Sequence, residues 1–205
     1  MNKRSGIESK KRIMNAAMHV FSVHGYERAN IREISKIAGI SVGGVYLYFR
    51  NKEELYVSFM QEMMQELTMK TGEIIRQAAS PSEALAAFLR LHINYAIKHK
   101  ELILVHFREL GFAFGMDAKQ EFFRRQRKEV GKIITNGIRA GEFRKCNVRD
   151  VAKIIMGALR GTILSMAVEE DGLIEPKRLI EFVLNGLVKY DRQGRSKRDG
   201  TGLLV

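Results

Sequence analysis

Apolar residues return every three or four positions along almost all of this 205-residue chain, and nowhere in a strict two-residue alternation. That period belongs to helices burying one stripe of their surface. Only two prolines interrupt it. The chain is therefore predicted to be all-α, with about nine helices.

The helix boundaries follow from local chemistry. Ile13, Ala17, Val20, Phe21 and His24 keep helical spacing, and Gly25 stops that run. Asn30 with Glu33, and Asn51 with Glu54, pair a capping side chain with an acid in the first turn. Ile31, Ile34 and Ile37 mark a short helix ending at Gly39, and Ser41 caps a third helix reaching about Phe49. A long fourth helix is predicted from Asn51 towards Ile75. Ser80-Pro81-Ser82-Glu83 opens a fifth, with proline at the first helical position. Helices from near Glu101 to Phe112 and from about Asp117 to Ala140 follow, the latter stopped by Gly141. Asn147 caps an apolar helix to Glu170, and Pro176 opens the last, to Tyr190.

Basic residues number 35 against 23 acidic ones, a net charge of +12. That excess favours an anionic partner. A single cysteine, Cys146, excludes an intrachain disulfide and a multi-cysteine zinc site. The longest apolar candidate for a membrane span, Met156 to Val168, is broken by Arg160, and the basic start leads into no signal-peptide core. A cytoplasmic protein with no membrane association is expected. Catalysis has little support. The histidines at 19, 24, 92, 99 and 106 form no His-Glu-x-x-His motif, no glycine-rich phosphate loop appears, and Cys146 has no histidine near it in sequence. No metal site and no cofactor are expected.

Residues 31–49 carry the function. Two short helices around Ala38-Gly39-Ile40-Ser41 make a helix-turn-helix, whose second helix can enter the major groove of DNA. Gly43 and Gly44 lie back to back in that second helix, each costing about 1 kcal/mol relative to alanine. A duplex approaching the bare backbone would explain them. Val45 and Phe49 are predicted to pack inward, while the Tyr46 and Tyr48 hydroxyls are available to phosphate. Lys52, in a helix first turn, opposes the helix dipole, so an external anion is its expected partner.

These residues resemble a known family. Ala16-Ala17, Phe21, Gly25-Tyr26, Ile34, Ala38-Gly39-Ile40-Ser41, Tyr46-x-Tyr48-Phe49 and Lys52-Glu53-Glu54-Leu55 look like the DNA-binding domain of TetR (tetracycline-repressor) regulators. Asn30 and Ser35 depart from the usual threonine or serine cap and the common alanine. The resemblance implies a helix-turn-helix DNA-binding domain at 1–52, an effector-binding and dimerisation domain at 53–190, and a frayed basic tail at 191–205. It implies DNA contacts by Asn30, Arg32, Ser41, Val42, Gly43, Gly44, Tyr46, Tyr48 and Lys52. Among these, Arg32 suits guanine readout and Val42 a thymine methyl. Lys3, Arg4, Lys10, Lys11 and Arg12 form a basic arm available for backbone contacts.

A homodimer on a palindromic operator is expected. Gly157, Gly161 and Ser165 make a small-residue seam, with Ala158, Thr162 and Met166 beside it. Val183, Leu184 and Leu187 of the last helix complete the predicted dimer surface. The family resemblance places an effector pocket in the middle of the chain, where Phe88, His92, Tyr95, His106, Phe107 and Phe112 are candidate lining residues. Arg108, Arg124, Arg125 and Arg127 add positive charge nearby, so an anionic amphipath such as a fatty acyl-CoA suits the set. The stretch after Val168 resembles acyl-CoA-responsive members controlling fatty-acid degradation. The expected function is a repressor released by a small hydrophobic effector, acting through a tilt of the fourth helix. The alternative is an architectural or activating DNA-binding protein without effector release.

Overall fold

The computed structural model describes residues 3–105, 115–169 and 175–188. Nine helices lie among them: α1 (Lys3–Arg28), α2 (Ile31–Ala38), α3 (Val42–Tyr46), α4 (Lys52–Gln77), α5 (Pro81–Lys98), α6 (Lys100–Val105), α7 (Met116–Arg139), α8 (Val148–Val168) and α9 (Pro176–Leu187). The only β-type pairing among the described residues is one isolated antiparallel bridge, Phe143 with Val188.

The caps form where their side chains allow. Asn30, Asn51 and Asn147 accept hydrogen bonds from the backbone N–H three residues on, at 2.9, 2.7 and 3.2 Å. Glu54 reaches back one residue past its cap to accept from Arg50 N at 2.7 Å, and Glu83 does the same from Ala79 N at 2.7 Å, a variant of the capping box. Gly25 breaks the helical backbone within α1, at φ 78°. Gly39 ends α2 in the left-handed region at φ 62°, where a residue with a Cβ is strained. Gly39 N donates to Lys36 O and Ile40 N to Ser35 O, which satisfies the last carbonyls of the helix.

The chain forms two compact units: residues 1–66 with 99–120, and residues 67–98 with 121–205. This division differs from a boundary at residue 52. Leu55, Tyr56 and Phe59 of α4 and Leu102 of α6 are buried in the same core as Ile13, Phe21, Ile34, Val45 and Phe49. The helical head therefore includes the start of α4. Its centre is aromatic, with Tyr56 edge-on to Phe21 at 5.0 Å and to Tyr26 at 5.3 Å.

The second unit is mainly aliphatic inside. Leu85, Leu89, Ile93, Val130, Ile134 and Leu159 are buried with Phe88 and Phe143. Gly137 admits the Phe143 ring, since a Cβ there would lie 2.1 Å from it. Arg144 ties the following loop to the end of α9, its backbone N–H donating to Leu187 O at 2.9 Å and its Nε to Gly186 O at 2.8 Å.

Candidate nucleic-acid interface

The turn between α2 and α3 is held from within the head. Ser41 Oγ accepts from Gly44 N at 3.0 Å and so caps α3. Val45 is fully buried and Phe49 nearly so, as their one-turn spacing predicts. What remains outside is Arg32 on α2, and Ser41, Gly43, Tyr46 and Leu47 around α3. Val42 and Tyr48 are half-buried.

The glycine pair separates into two different residues. A Cβ on Gly43 would meet nothing within 4 Å. A Cβ on Gly44 would sit 2.6 Å from Ile40 Cγ2 and 3.2 Å from Ser41 Oγ. Ile40 is β-branched and stiff at χ1, so it yields poorly. Gly44 is therefore required by packing inside the head, and only Gly43 offers bare backbone to an outside partner.

Lys52 also departs from expectation. Its ammonium donates to the carbonyls of Tyr26, Glu27 and Ala29 at 2.7, 3.0 and 3.2 Å. Three donors meet three acceptors. The ammonium also lies 4.5 Å from the Tyr26 ring centroid. Burial, with Glu53 and Glu27 nearby, raises the Tyr26 pKa and keeps that ring neutral. The cation that opposes the dipole of α4 thus ends the chain turn after α1, and needs no external phosphate. Arg12 behaves alike. It donates to Ala38 O, and to Gly39 O at 2.9 Å, so its guanidinium belongs to the C-terminus of α2 rather than to a DNA-seeking arm. His24 Nε2 lies 3.0 Å from Glu33 Oε1 and adds a further tie between α1 and α2.

Asn30 and Ser41 keep capacity beyond their caps: the Asn30 amide N–H groups and the Ser41 hydroxyl proton remain. Sequence reasoning missed Leu47, 78% exposed beside Tyr46. Its signal was available, since apolar residues fill every position from 45 to 49 and one short helix cannot bury them all.

The predicted effector residues are only partly described. His106, Phe107, Arg108 and Phe112 lie outside the described residues. Phe88 is fully buried, and its ring centroid is 4.1 Å from that of His92. Tyr95 is half-buried under Lys70, 5.7 Å from the ring centroid. His92 Nδ1 bonds to Phe88 O at 2.8 Å. A carbonyl only accepts, so Nδ1 carries the proton and Nε2 presents a lone pair. Burial lowers the His92 pKa to about 4, against the raising effects of Phe88 and Gln126. Among the described residues, His92 Nε2 and Gln126 Oε1 are buried without a hydrogen bond. An amide turned to present N–H to Nε2 would pair that nitrogen, and would exchange the bond Gln126 Nε2 now donates to Thr68 Oγ1 at 3.2 Å for one that the Thr68 hydroxyl must donate.

The predicted dimer surface needs correction too. Thr162, Val183, Leu184 and Leu187 are buried within the chain's own second unit. The sequence misplaces them outward because α8 and α9 are apolar on more than one side. Ala158 and Ser165 are half-buried. Gly157 and Gly161 are exposed, with open space where a Cβ would be. Ile154 on α8 and Phe182 on α9, both unpredicted, are 67% and 74% exposed.

No helix among the described residues is long and apolar enough to cross a membrane. No group of three metal-ligating side chains occurs among them.

Two family models match the chain. One describes bacterial regulatory proteins of the tetR family and covers residues 13–59; the other, a tetracyclin repressor-like C-terminal domain, covers residues 78–164. The fatty acid metabolism regulator protein of Bacillus subtilis (strain 168) is 26% identical over 182 residues, spanning 85% of this chain and 93% of its own. The crystal structure of a transcriptional regulator FadR from Bacillus subtilis in complex with stearoyl-CoA matches with a TM-score of 0.73 at 26% identity, over 86% of this chain and 98% of that one. A regulator from Saccharomonospora viridis in complex with choline reaches 0.76 at 15% identity, over 89% and 98%; that likeness concerns the fold alone.

Proposed function

The chain belongs to the TetR family of bacterial transcriptional regulators, and on that premise we propose that it is a dimeric repressor of a palindromic operator, released by a fatty acyl-CoA. The observation that carries the DNA-binding part is the outer surface of the helix-turn-helix. Bare Gly43 stands there beside exposed Arg32, Tyr46 and Leu47. Tyr46, Tyr48, Asn30 and Ser41 position phosphates through their remaining donors. Arg32 reads a base edge, and Val42 and Leu47 pack on sugar or thymine methyl. Lys52 and Gly44 act one step back, by fixing the shape that presents these groups.

The dimer surface in this proposal is the outward side of α8 and α9, through Ile154, Gly157, Gly161 and Phe182. Bare glycines let a partner helix approach closely, and large exposed apolar side chains gain from being covered. The effector reading rests on the Bacillus subtilis relatives, one of which holds stearoyl-CoA. Their resemblance to this chain extends over both family-model regions.

Selection of bound duplexes from a random pool gives the operator, and fluorescence anisotropy then reads its affinity. A palindrome with half-sites one helical turn apart, or a multiple of that, is expected. Stearoyl-CoA is expected to release the operator and free stearate to leave it bound. Unchanged operator affinity at saturating stearoyl-CoA overturns the effector assignment. Sequence-independent binding with a steep salt dependence overturns the regulator's specificity.

A further inference from the structure

A surface cleft of about 260 Å³ in the second unit lies between α7 and the start of α8. Arg124, Arg127, Lys128 and Arg149 line it over a floor of Gly131, Val148 and Ala152. No carboxylate is among the lining residues. Of the nearby acids, Glu121 neutralises the lining Arg124 and also holds Arg125, whereas Glu129 holds Lys132 at 2.7 Å and Asp150 faces Lys153 at 3.9 Å, both outside the cleft. Arg127, Lys128 and Arg149 have no carboxylate partner among the described residues. Like charges gathered in one concavity repel, and an anion seated among them relieves that repulsion. The positive end of the α8 dipole adds to the same field.

The geometry points to this cleft as a binding site for the phosphate groups of a nucleotide-bearing small ligand. Arg127 and Arg149 supply forked donors suited to phosphate oxygens, and Lys128 supplies a mobile point charge, while Arg124 is held by Glu121. The apolar floor suits a sugar or base edge. Gly131 keeps the floor low without being forced to by packing, since a Cβ there would lie 3.8 Å from Val148 Cγ1, an ordinary separation. The inference rests on the acyl-CoA reading only for the identity of the carrier: the phosphates would be those of the coenzyme A portion.

The test is calorimetric titration of the full-length protein with adenosine 3′,5′-bisphosphate, with adenosine as the phosphate-free control. The wild type is expected to bind the bisphosphate and not adenosine. Arg127→Glu combined with Arg149→Glu is expected to weaken that binding by roughly a hundredfold, about tenfold for each charge-assisted hydrogen bond to phosphate that the variant cannot make. Both side chains are exposed, so the fold should survive, and an unchanged circular dichroism melt would verify this. Equal bisphosphate affinity in the double variant, or no binding by wild type, overturns the site. A double variant that binds operator more weakly with no nucleotide present, and binds bisphosphate normally, identifies a DNA surface and also overturns it. Bisphosphate binding in a protein that stearoyl-CoA fails to release from operator keeps the site and removes the effector reading.

Discussion

Arg12 and Lys52 of the head fold back onto the carbonyls that end α2 and the turn after α1, whereas Arg127, Lys128 and Arg149 of the second unit stand exposed around a cleft without carboxylates. The same residue types do opposite work. In the head they close backbone that would otherwise face water. Around the cleft of the second unit they keep their donors available, although Arg144 of the same unit closes the end of α9 as the head's cations close theirs. The chain's net charge of +12 therefore does not locate its anion sites. In a DNA-binding head, the cations that sequence patterns single out can be structural, and the proposed interface then leaves the phosphate contacts to hydroxyls, amides and a bare helix start. Ionisable groups deep inside follow a third rule: buried His92 is held neutral.

The largest effect tests that third rule. The folded pKa of His92, about 4, lies below its ordinary 6.5. Between those values the unfolded chain binds the extra proton, so stability is full above pH 6.5 and falls as pH drops towards 4. The loss from this one group is roughly 3 kcal/mol. Denaturant midpoints at about pH 7 and about pH 4.5 are expected to differ more for wild type than for His92→Gln. Equal differences would show that the site does not oppose protonation.

Next, Lys52→Ala is expected to destabilise the head by about 2 kcal/mol, through lost charge-assisted hydrogen bonds that are only partly shielded from water. Thermal melts of the variant read this directly. If melting is unchanged and the salt slope of operator binding drops by about one instead, the lysine is a phosphate ligand and the contrast between the units fails.

The two glycines sharpen the contrast further. Gly44→Ala is expected to cost about 1–2 kcal/mol of stability by overpacking against Ile40. Gly43→Ala is expected to gain about 0.5–1 kcal/mol from helix propensity while lowering operator affinity. A Gly43→Ala protein that binds operator as wild type does would remove the argument for close backbone approach.

The smallest effect is expected at Arg127→Ala and Arg149→Ala. Each should change stability by less than about 0.5 kcal/mol, because neither side chain supports the fold. A larger loss in chemical denaturation would mean that these cations, like Lys52, have a structural task.

The caps at Asn30, Ser41, Asn51 and Asn147 are legible in the sequence because donor and acceptor lie within three residues of each other. So are the helix breaks at Gly25, Gly39 and Gly141, and the inward turn of Val45 and Phe49. Lys52 is not, because its acceptors are 23 to 26 residues away and nothing local announces them. Gly44 misleads for a related reason: its neighbour Ile40 lies across the turn, and only the folded backbone brings the two together. On α8 and α9, periodicity identifies helices but not which apolar side meets the protein's own core. Thr162, Val183, Leu184 and Leu187 are consequently mistaken for outward residues, and Ile154 and Phe182 are overlooked.

Helix α3, the recognition helix of the proposed interface, has only five residues. A helix that short does not persist in water alone, because nucleation costs more than so few backbone bonds return. Its shape is borrowed from Ser41, Ile40, Val45 and Phe49. A nascent or partly melted chain is thus blind to its operator, and promoter occupancy should vanish on heating together with the tertiary structure of the head, without a lingering weak reader.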